Sequence, residues 1–323
     1  MSALIDTVIH GLRPLATDVL GIDLRPIGNV ALPAVEAGAH IDLHLPNGMV
    51  RSYSLVNEPG DRQHYQIAVL KDGTSRGGSI YVHERLRVGQ VLRVAGPRNH
   101  FRVDETAEHS ILVAGGIGVT PLLCMARRLR QLGRSAQVMY FARTRQSAAF
   151  VEELQVLGFP LHLHFDDEQG RHPDLAGLLA PHVNRAGTHV YACGPAMMLD
   201  AFISTCERLG LRNHHIERFA AAPAPTSSPV GSIGQSAYVV ELRRSARRIE
   251  VQAGQTLLQA LINAGVPVDY ACEEGICGTC RTRVLEGEPE HRDSVLTSAE
   301  RDSHRFIMPC VSGCRSPSLV LDL

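Results

Sequence analysis

Four cysteines near the C-terminus constrain the fold of this 323-residue chain more than any other feature. In Cys272-Glu-Glu-Gly-Ile-Cys277-Gly-Thr-Cys280, four residues separate the first two cysteines and two separate the next pair. Cys310 follows after a longer gap, in Met308-Pro309-Cys310. This is the ligand spacing of a plant-type [2Fe–2S] cluster, which four thiolates hold on two irons. Gly275 and Gly278 lie between the ligands, where the chain must wrap tightly and aim amide N–H groups at sulfur. A structural zinc site usually shows two short cysteine pairs, whereas here one pair is split and the fourth ligand stands alone. Cys314 is a fifth cysteine in the region, but Phe306-Ile307-Met308 and Pro309 bring Cys310 in from a strand. Cys124 and Cys206 fall on predicted helices and read as inert core residues. A cluster moves one electron at a time, so the chain needs a source of electrons and an acceptor.

The length predicts two or three domains. A formal net charge of −1 gives no support for nucleic-acid binding or for a cationic membrane-binding surface. The apolar runs are far shorter than the ~18–20 residues of a membrane span. Met-Ser-Ala-Leu-Ile-Asp lacks the layout of a secretion signal. These features predict a cytoplasmic protein whose cysteines stay reduced and free for metal. Nothing demands an oligomer, and a monomer is expected.

Residues 220–236, rich in Pro, Ala, Ser and Gly, form the clearest linker. Before it, the first ~100 residues read as antiparallel β. Ala39, Ile41, Leu43 and Leu45 alternate with His40, Asp42 and His44, as in a half-buried strand, and Asn47-Gly48 supplies a hairpin turn. Several short strands closed by glycine turns predict a small barrel. From Ser110 to about Phe219 strands and helices alternate: Ile111–Ala114, Leu122–Leu132, Val138–Ala142, Leu161–Phe165, His189–Ala192 and Ala196–Leu209. A parallel sheet covered by helices is the economical reading. Beyond the linker, Tyr238–Leu242 and Arg248–Val251 read as a hairpin, and Thr256–Ala264 as a helix capped by Gly265.

Three further segments carry chemistry. Gly115-Gly116-Ile117-Gly118-Val119-Thr120-Pro121 joins an apolar strand to a helix, where amides and the positive helix end can face a phosphate or nicotinamide. Pro121 stands where the dinucleotide fingerprint needs its third glycine, so this is not that fingerprint, and a plain tight turn fits as well. Tyr191-Ala192-Cys193-Gly194-Pro195 ends a later strand and opens a second helix. Two such strand ends in one parallel sheet predict a nucleotide crevice at its carboxyl edge. Arg51-Ser52-Tyr53-Ser54, with Ser75-Arg76-Gly77-Gly78-Ser79 further on, can pair with a phosphate and stack on a planar cofactor. An ordinary strand tyrosine beside a solvated arginine fits these residues too.

The order of these motifs over essentially the whole chain resembles the phthalate dioxygenase reductase family, among the ferredoxin–NADP reductase-like flavoproteins. Vanillate O-demethylase reductases share the layout. The resemblance implies a multidomain chain: an antiparallel β-barrel flavin domain (1–103), an α/β parallel-sheet NAD domain (104–222), a linker (223–236) and an α+β β-grasp ferredoxin domain (237–323). It implies FMN, with Arg51 and Gly77-Gly78-Ser79 at the phosphate, Tyr53 and Ser54 along the ring, Ser52 among the cofactor-binding residues of the same strand, and Val69 and Lys71 on the neighbouring strand. It places NADH against Gly115, Gly116, Gly118, Thr120, Pro121, Cys193, Gly194 and Pro195, with Phe219 set to pack on the flavin or in the core.

On this resemblance, NADH gives a hydride to the flavin beside Thr120 and Ser54, the two residues expected at the reacting atoms. That step needs positioning rather than acid–base catalysis, and the sixteen histidines show no metal-ligand grouping. Single electrons then pass to the cluster and on to a terminal oxygenase of the Rieske type acting on an aromatic acid. A cytochrome, a non-Rieske monooxygenase or a redox-sensing role are the alternatives. Arg143 and Arg145 follow the second parallel strand, where a 2′-phosphate is met in NADPH enzymes, although NADH is the expected donor. Glu273, Glu274, Glu286 and Glu288 offer an acidic face for docking or for solvent.

Overall fold

The computed structural model describes residues 4–28, 30–73, 76–183, 185–219 and 237–323. The linker expected at 223–236, and Ser75 of the second barrel motif, lie outside the described residues. The chain divides into two compact units, Ala3–Phe219 and Ala220–Leu323.

The first unit begins with strands β1 (Ile5–Ala16), β2 (Val19–Pro26), β3 (His40–His44), β4 (Val50–Ser54) and β5 (Tyr65–Leu70), helix α1 (Gly78–Arg85) and strand β6 (Val91–Arg98). The sheet order is β4-β3-β6-β1-β2-β5, and its pairings are antiparallel. A bridge between Leu55 and Ile67 joins the end of β4 to β5 and closes the sheet into a barrel. Gly48, at φ +85°, makes the β3–β4 turn, as the Asn-Gly pair predicts.

One expectation for β3 fails. The alternation predicts a solvated polar face, yet His40 and Asp42 are buried along with Ile41 and Leu43. Asp42 is held by an ion pair with Arg98 and accepts a hydrogen bond from Ser52 Oγ at 2.7 Å. These partners offset the cost of taking the carboxylate out of water.

The unit continues with β7 (His109–Gly115), α2 (Val119–Gln131), β8 (Ser135–Ala142), α3 (Val151–Val156), β9 (Leu161–Phe165), α4 (Asp166–Gln169), α5 (Leu175–Leu179), β10 (Thr188–Cys193), α6 (Ala196–Leu209) and β11 (His214–Glu217). The five strands are parallel, in the order β11-β10-β7-β8-β9. Helix α2 starts at Val119, three residues before its apolar period suggests, because Pro121 sits in the first turn, where a missing N–H costs nothing. One continuous core runs from barrel residues Ile41, Leu55 and Ile67 to Leu122, Met125 and Leu129 of α2.

The second unit contains β12 (Tyr238–Leu242), β13 (Arg247–Val251), α7 (Leu257–Asn263), β14 (Thr282–Glu286), β15 (Pro289–Glu290), α8 (Ser298–Asp302), β16 (Phe306–Ile307), β17 (Gly313–Cys314) and β18 (Ser318–Leu321). Its main sheet runs β13-β12-β18-β14-β16, with β12 and β18 parallel at the centre. Thr256 and Gln259 close a capping box on α7, and Gly265 ends it at φ +68°. The core is Val240, Leu242, Leu257, Leu261, Leu319 and Leu321, on one face of this sheet and the helix. This is the β-grasp arrangement expected of a ferredoxin module.

Candidate functional site

The cysteine loop leaves α7 and wraps back on itself. Cys272, Cys277, Cys280 and Cys310 are all buried, each no more than 6% exposed. Their sulfurs form a chain of contacts: Cys277 to Cys272, Cys272 to Cys310, and Cys310 to Cys280 at 3.3 Å. Amide N–H groups converge on them, Glu274 on Cys272 Sγ at 3.3 Å, Gly275 on Cys310 and Thr279 on Cys277. Gly275 has φ +70°, and a Cβ there would lie 2.5 Å from Val311 Cγ2. The hydrogen bond to Cys272 and burial hold the Cys277 thiol well above its ordinary pKa. Without a cation, four crowded thiolates are too costly to bury; with irons, the inward amides stabilise their charge. The nest therefore fits a [2Fe–2S] cluster. Cys314 lies outside it, with its thiol on the Ser316 carbonyl at 2.8 Å. Cys124 and Cys206 are buried on α2 and α6, and burial pushes both thiols up to about 12.

In the barrel, Arg51 on β4 reaches across the start of α1. A Cβ at Gly78 would lie 2.6 Å from Arg51 Nε, so the guanidinium lies directly over the helix N-terminus. Gly77 precedes it in the left-handed region, at φ +83°, and among the described residues no side chain caps the helix. A guanidinium beside a helix N-terminus is an anion cradle that fits a flavin phosphate. The Ser79 hydroxyl exchanges hydrogen bonds with the Asp72 backbone. Lys71 pairs with Glu84 at 3.0 Å, and the Val69 carbonyl accepts from His83 Nε2 at 2.9 Å. Tyr53 is partly buried, and desolvation raises its phenol to about 12, so it presents a neutral ring. Ser54 is buried at the end of β4.

The two glycine-bearing strand ends meet. Strands β7 and β10 are neighbours, with Ala114 opposite Cys193, although the chain visits β8 and β9 between them. This is the reversal of strand order at which open α/β sheets bind ligands. A Cβ on Gly118 would overlap the Cys193 carbonyl and lie 2.7 Å from the Gly194 nitrogen; one on Gly115 would lie 2.8 Å from Pro195 Cδ. Gly116 has φ +52° and faces open space. Thr120 is buried, with its hydroxyl donating to the Ile117 carbonyl at 2.9 Å. Pro121 lies in the first turn of α2, and Pro195 is the N-cap of α6. The Gly116–Gly118 turn approaches β5, which brings the crevice to the barrel strand that carries Val69. Phe219 is 39% exposed just beyond β11.

Glu217 has no role in the sequence reading, yet it pairs with Cys193 across β10 and β11. Its Oε2 is sealed from solvent without a hydrogen-bond partner among the described residues. Burial raises its carboxyl to about 8 and, with Glu217, holds the Cys193 thiol well above its ordinary value. Only its place just before Phe219 hinted at it. Folding therefore favours the protonated form. This contribution is fully present below the unfolded value of 4.5 and is lost as pH rises through about 8. Glu217→Gln is expected to remove a downward slope of at most about 1.4 kcal/mol per pH unit across that window. Denaturant melts of both proteins from pH 5 to 9 check this; parallel stability curves contradict it.

His189 and His215 share a hydrogen bond at 3.2 Å, and His164 and His172 flank Asp166. Among the described residues no helix is long and apolar enough to cross a membrane. Glu286 of the proposed acidic face is engaged by Arg243 at 2.7 Å.

Comparison with known proteins agrees with this layout. A 2Fe-2S iron-sulfur cluster binding domain matches residues 240–315, and a dimethylamine monooxygenase subunit DmmA-like N-terminal domain matches residues 93–216. The chain is 45% identical to phenoxybenzoate dioxygenase subunit beta of Ectopseudomonas oleovorans, over 98% of this chain and 96% of that one. It superimposes on phthalate dioxygenase reductase with a TM-score of 0.71 at 35% identity, covering 99% of this chain and 98% of that one. It also matches an intact type IV self-sufficient cytochrome P450 monooxygenase, with a TM-score of 0.89 at 39% identity over 99% of this chain. It spans 41% of that longer polypeptide.

Proposed function

Because the chain belongs to the phthalate dioxygenase reductase family of flavin and iron–sulfur oxidoreductases, we propose that it carries electrons from NADH to a separate terminal oxygenase. One observation carries this reading: an anion-cradling barrel strand and a nucleotide crevice share one compact unit, while a second unit closes four thiols into a nest. A bound flavin, FMN on this reading, supplies exchange between two-electron and one-electron steps, and the cluster supplies a one-electron exit.

The residues of this chain provide position and charge. Arg51, with the Gly77-Gly78 start of α1, holds the flavin phosphate, while Ser52 fixes its strand through Asp42. Tyr53, Ser54 and Val69 line the ring. Gly115, Gly116, Gly118, Thr120, Pro121, Cys193, Gly194 and Pro195 receive the nicotinamide half of NADH. Thr120 and Ser54 set its approach, and Phe219 covers the flavin. The neutral Cys193 thiol and protonated Glu217 keep negative charge away from the departing hydride. Cys272, Cys277, Cys280 and Cys310 hold the cluster. The domains run 1–103, 104–222 and 237–323, and the protein acts as a cytoplasmic monomer.

The acceptor is a Rieske-type oxygenase acting on an aromatic acid, in keeping with the dioxygenase relative. A haem monooxygenase is the second reading, favoured by the similarity to part of an intact self-sufficient cytochrome P450 monooxygenase. An anaerobic NADH titration followed by absorbance and electron paramagnetic resonance tests the scheme. Flavin bleaching followed by a reduced-cluster signal is expected; absence of both defeats it. Restored turnover with only one purified oxygenase class decides the acceptor.

A further inference from the structure

Resting on the electron-transfer reading above, we propose that Glu168 sets the choice of NADH over NADPH by locking Arg145. In a parallel sheet of this kind, the residues after the strand next to the crevice meet the adenosine ribose, where an arginine takes up a 2′-phosphate. Here that strand is β8, and Arg143 and Arg145 follow it. Arg145 is already engaged, in a surface ion pair with its side chain 58% exposed. Its Nε and Nη2 donate to the two oxygens of Glu168 at 3.0 and 3.1 Å, and its guanidinium lies over the Phe165 ring at 4.4 Å.

The pairing occupies the fork of Arg145, while Arg143 beside it is exposed. A guanidinium recognises phosphate through its planar fork, and the carboxylate of Glu168 fills that fork. The loop is also held still: Thr144 and Ser147 form a reciprocal cap around Arg145, and the Gln146 carbonyl accepts from the Thr17 amide at 2.8 Å. The same turn after β9 carries Asp166 and Asp167 beside Glu168, and the Asp167 amide donates to the Arg143 carbonyl at 3.0 Å.

The test uses the full-length holoprotein and follows flavin bleaching with NADH and with NADPH. Glu168→Gln is expected to raise kcat/KM for NADPH relative to NADH by up to about 5-fold, the size of a released surface ion pair. The gain appears in KM for NADPH, with kcat unchanged, because the hydride-transfer geometry is untouched. Glu168→Ala serves the same purpose if the glutamine variant is not recovered. The double variant Glu168→Gln/Arg145→Gln is expected to return to the original ratio. An unmoved ratio in the single variants, or a gain that survives in the double variant, overturns the assignment. Failure of both nucleotides to bleach the flavin in the unmodified protein overturns the electron-transfer reading along with it.

Discussion

Replacing Cys272 with serine is expected to abolish NADH-driven reduction of cytochrome c while leaving NADH–ferricyanide activity near its original level. Cys272 touches both Cys277 and Cys310, so it joins the two halves of the sulfur nest. Serine removes a soft thiolate ligand and puts a shorter, harder oxygen in its place. The core of the C-terminal unit, built on Val240, Leu257, Leu261 and Leu319, does not include this residue, so the fold should persist. The nucleotide crevice and barrel lie in the other unit and keep their geometry. Two measurements decide the matter: the reduced-cluster resonance, which should vanish, and the two acceptor assays run side by side. Equal loss of both activities contradicts an order in which the flavin precedes the cluster. Retention of both contradicts the ligand assignment.

The second large effect is expected at Gly118. Its φ is −61°, an ordinary helical value, so alanine meets no backbone penalty. Space is the obstacle. An added methyl would overlap the Cys193 carbonyl, which is backbone and cannot swing aside. The two strand ends must part, at a cost of about 1–3 kcal/mol in stability. A displacement of that kind at a site that works by positioning lowers hydride transfer on the order of 100-fold. Gly116→Ala is the contrasting control. It carries a positive φ of +52° but faces open space, so it costs backbone strain of about 1–2 kcal/mol without moving Cys193. Stopped-flow flavin bleaching should fall steeply in Gly118→Ala and far less in Gly116→Ala. The reverse ranking overturns the picture of touching loops.

Much of this was legible along the chain because the signals are local. Helix α6 runs over Ala196–Leu209 and β12 over Tyr238–Leu242, the bounds their apolar periods and caps predict. The start of α2 is less legible because its N-cap is Gly118 and its first turn holds Pro121, which carry no apolar period. Asp42 was misread for a different reason. Alternation marks two faces of a strand but not whether both are covered, and the partner Arg98 is 56 residues away. Glu217 was missed because a lone carboxylate shows its altered acidity only when burial is known.

The sequence by itself determined the electron carrier and the order of the modules. Four cysteines at fixed spacing, glycines at strand ends and a proline-rich break are short-range facts of covalent connectivity. The tertiary structure alone decided which of these groups touch. It set Gly118 against Cys193 across a reversal of strand order, laid Arg51 over the start of α1, and sealed Glu217 beside Cys193. It also paired Arg145 with Glu168, 23 residues away. Contacts between residues far apart in the chain, and the desolvation that comes with them, exist only once the chain has folded.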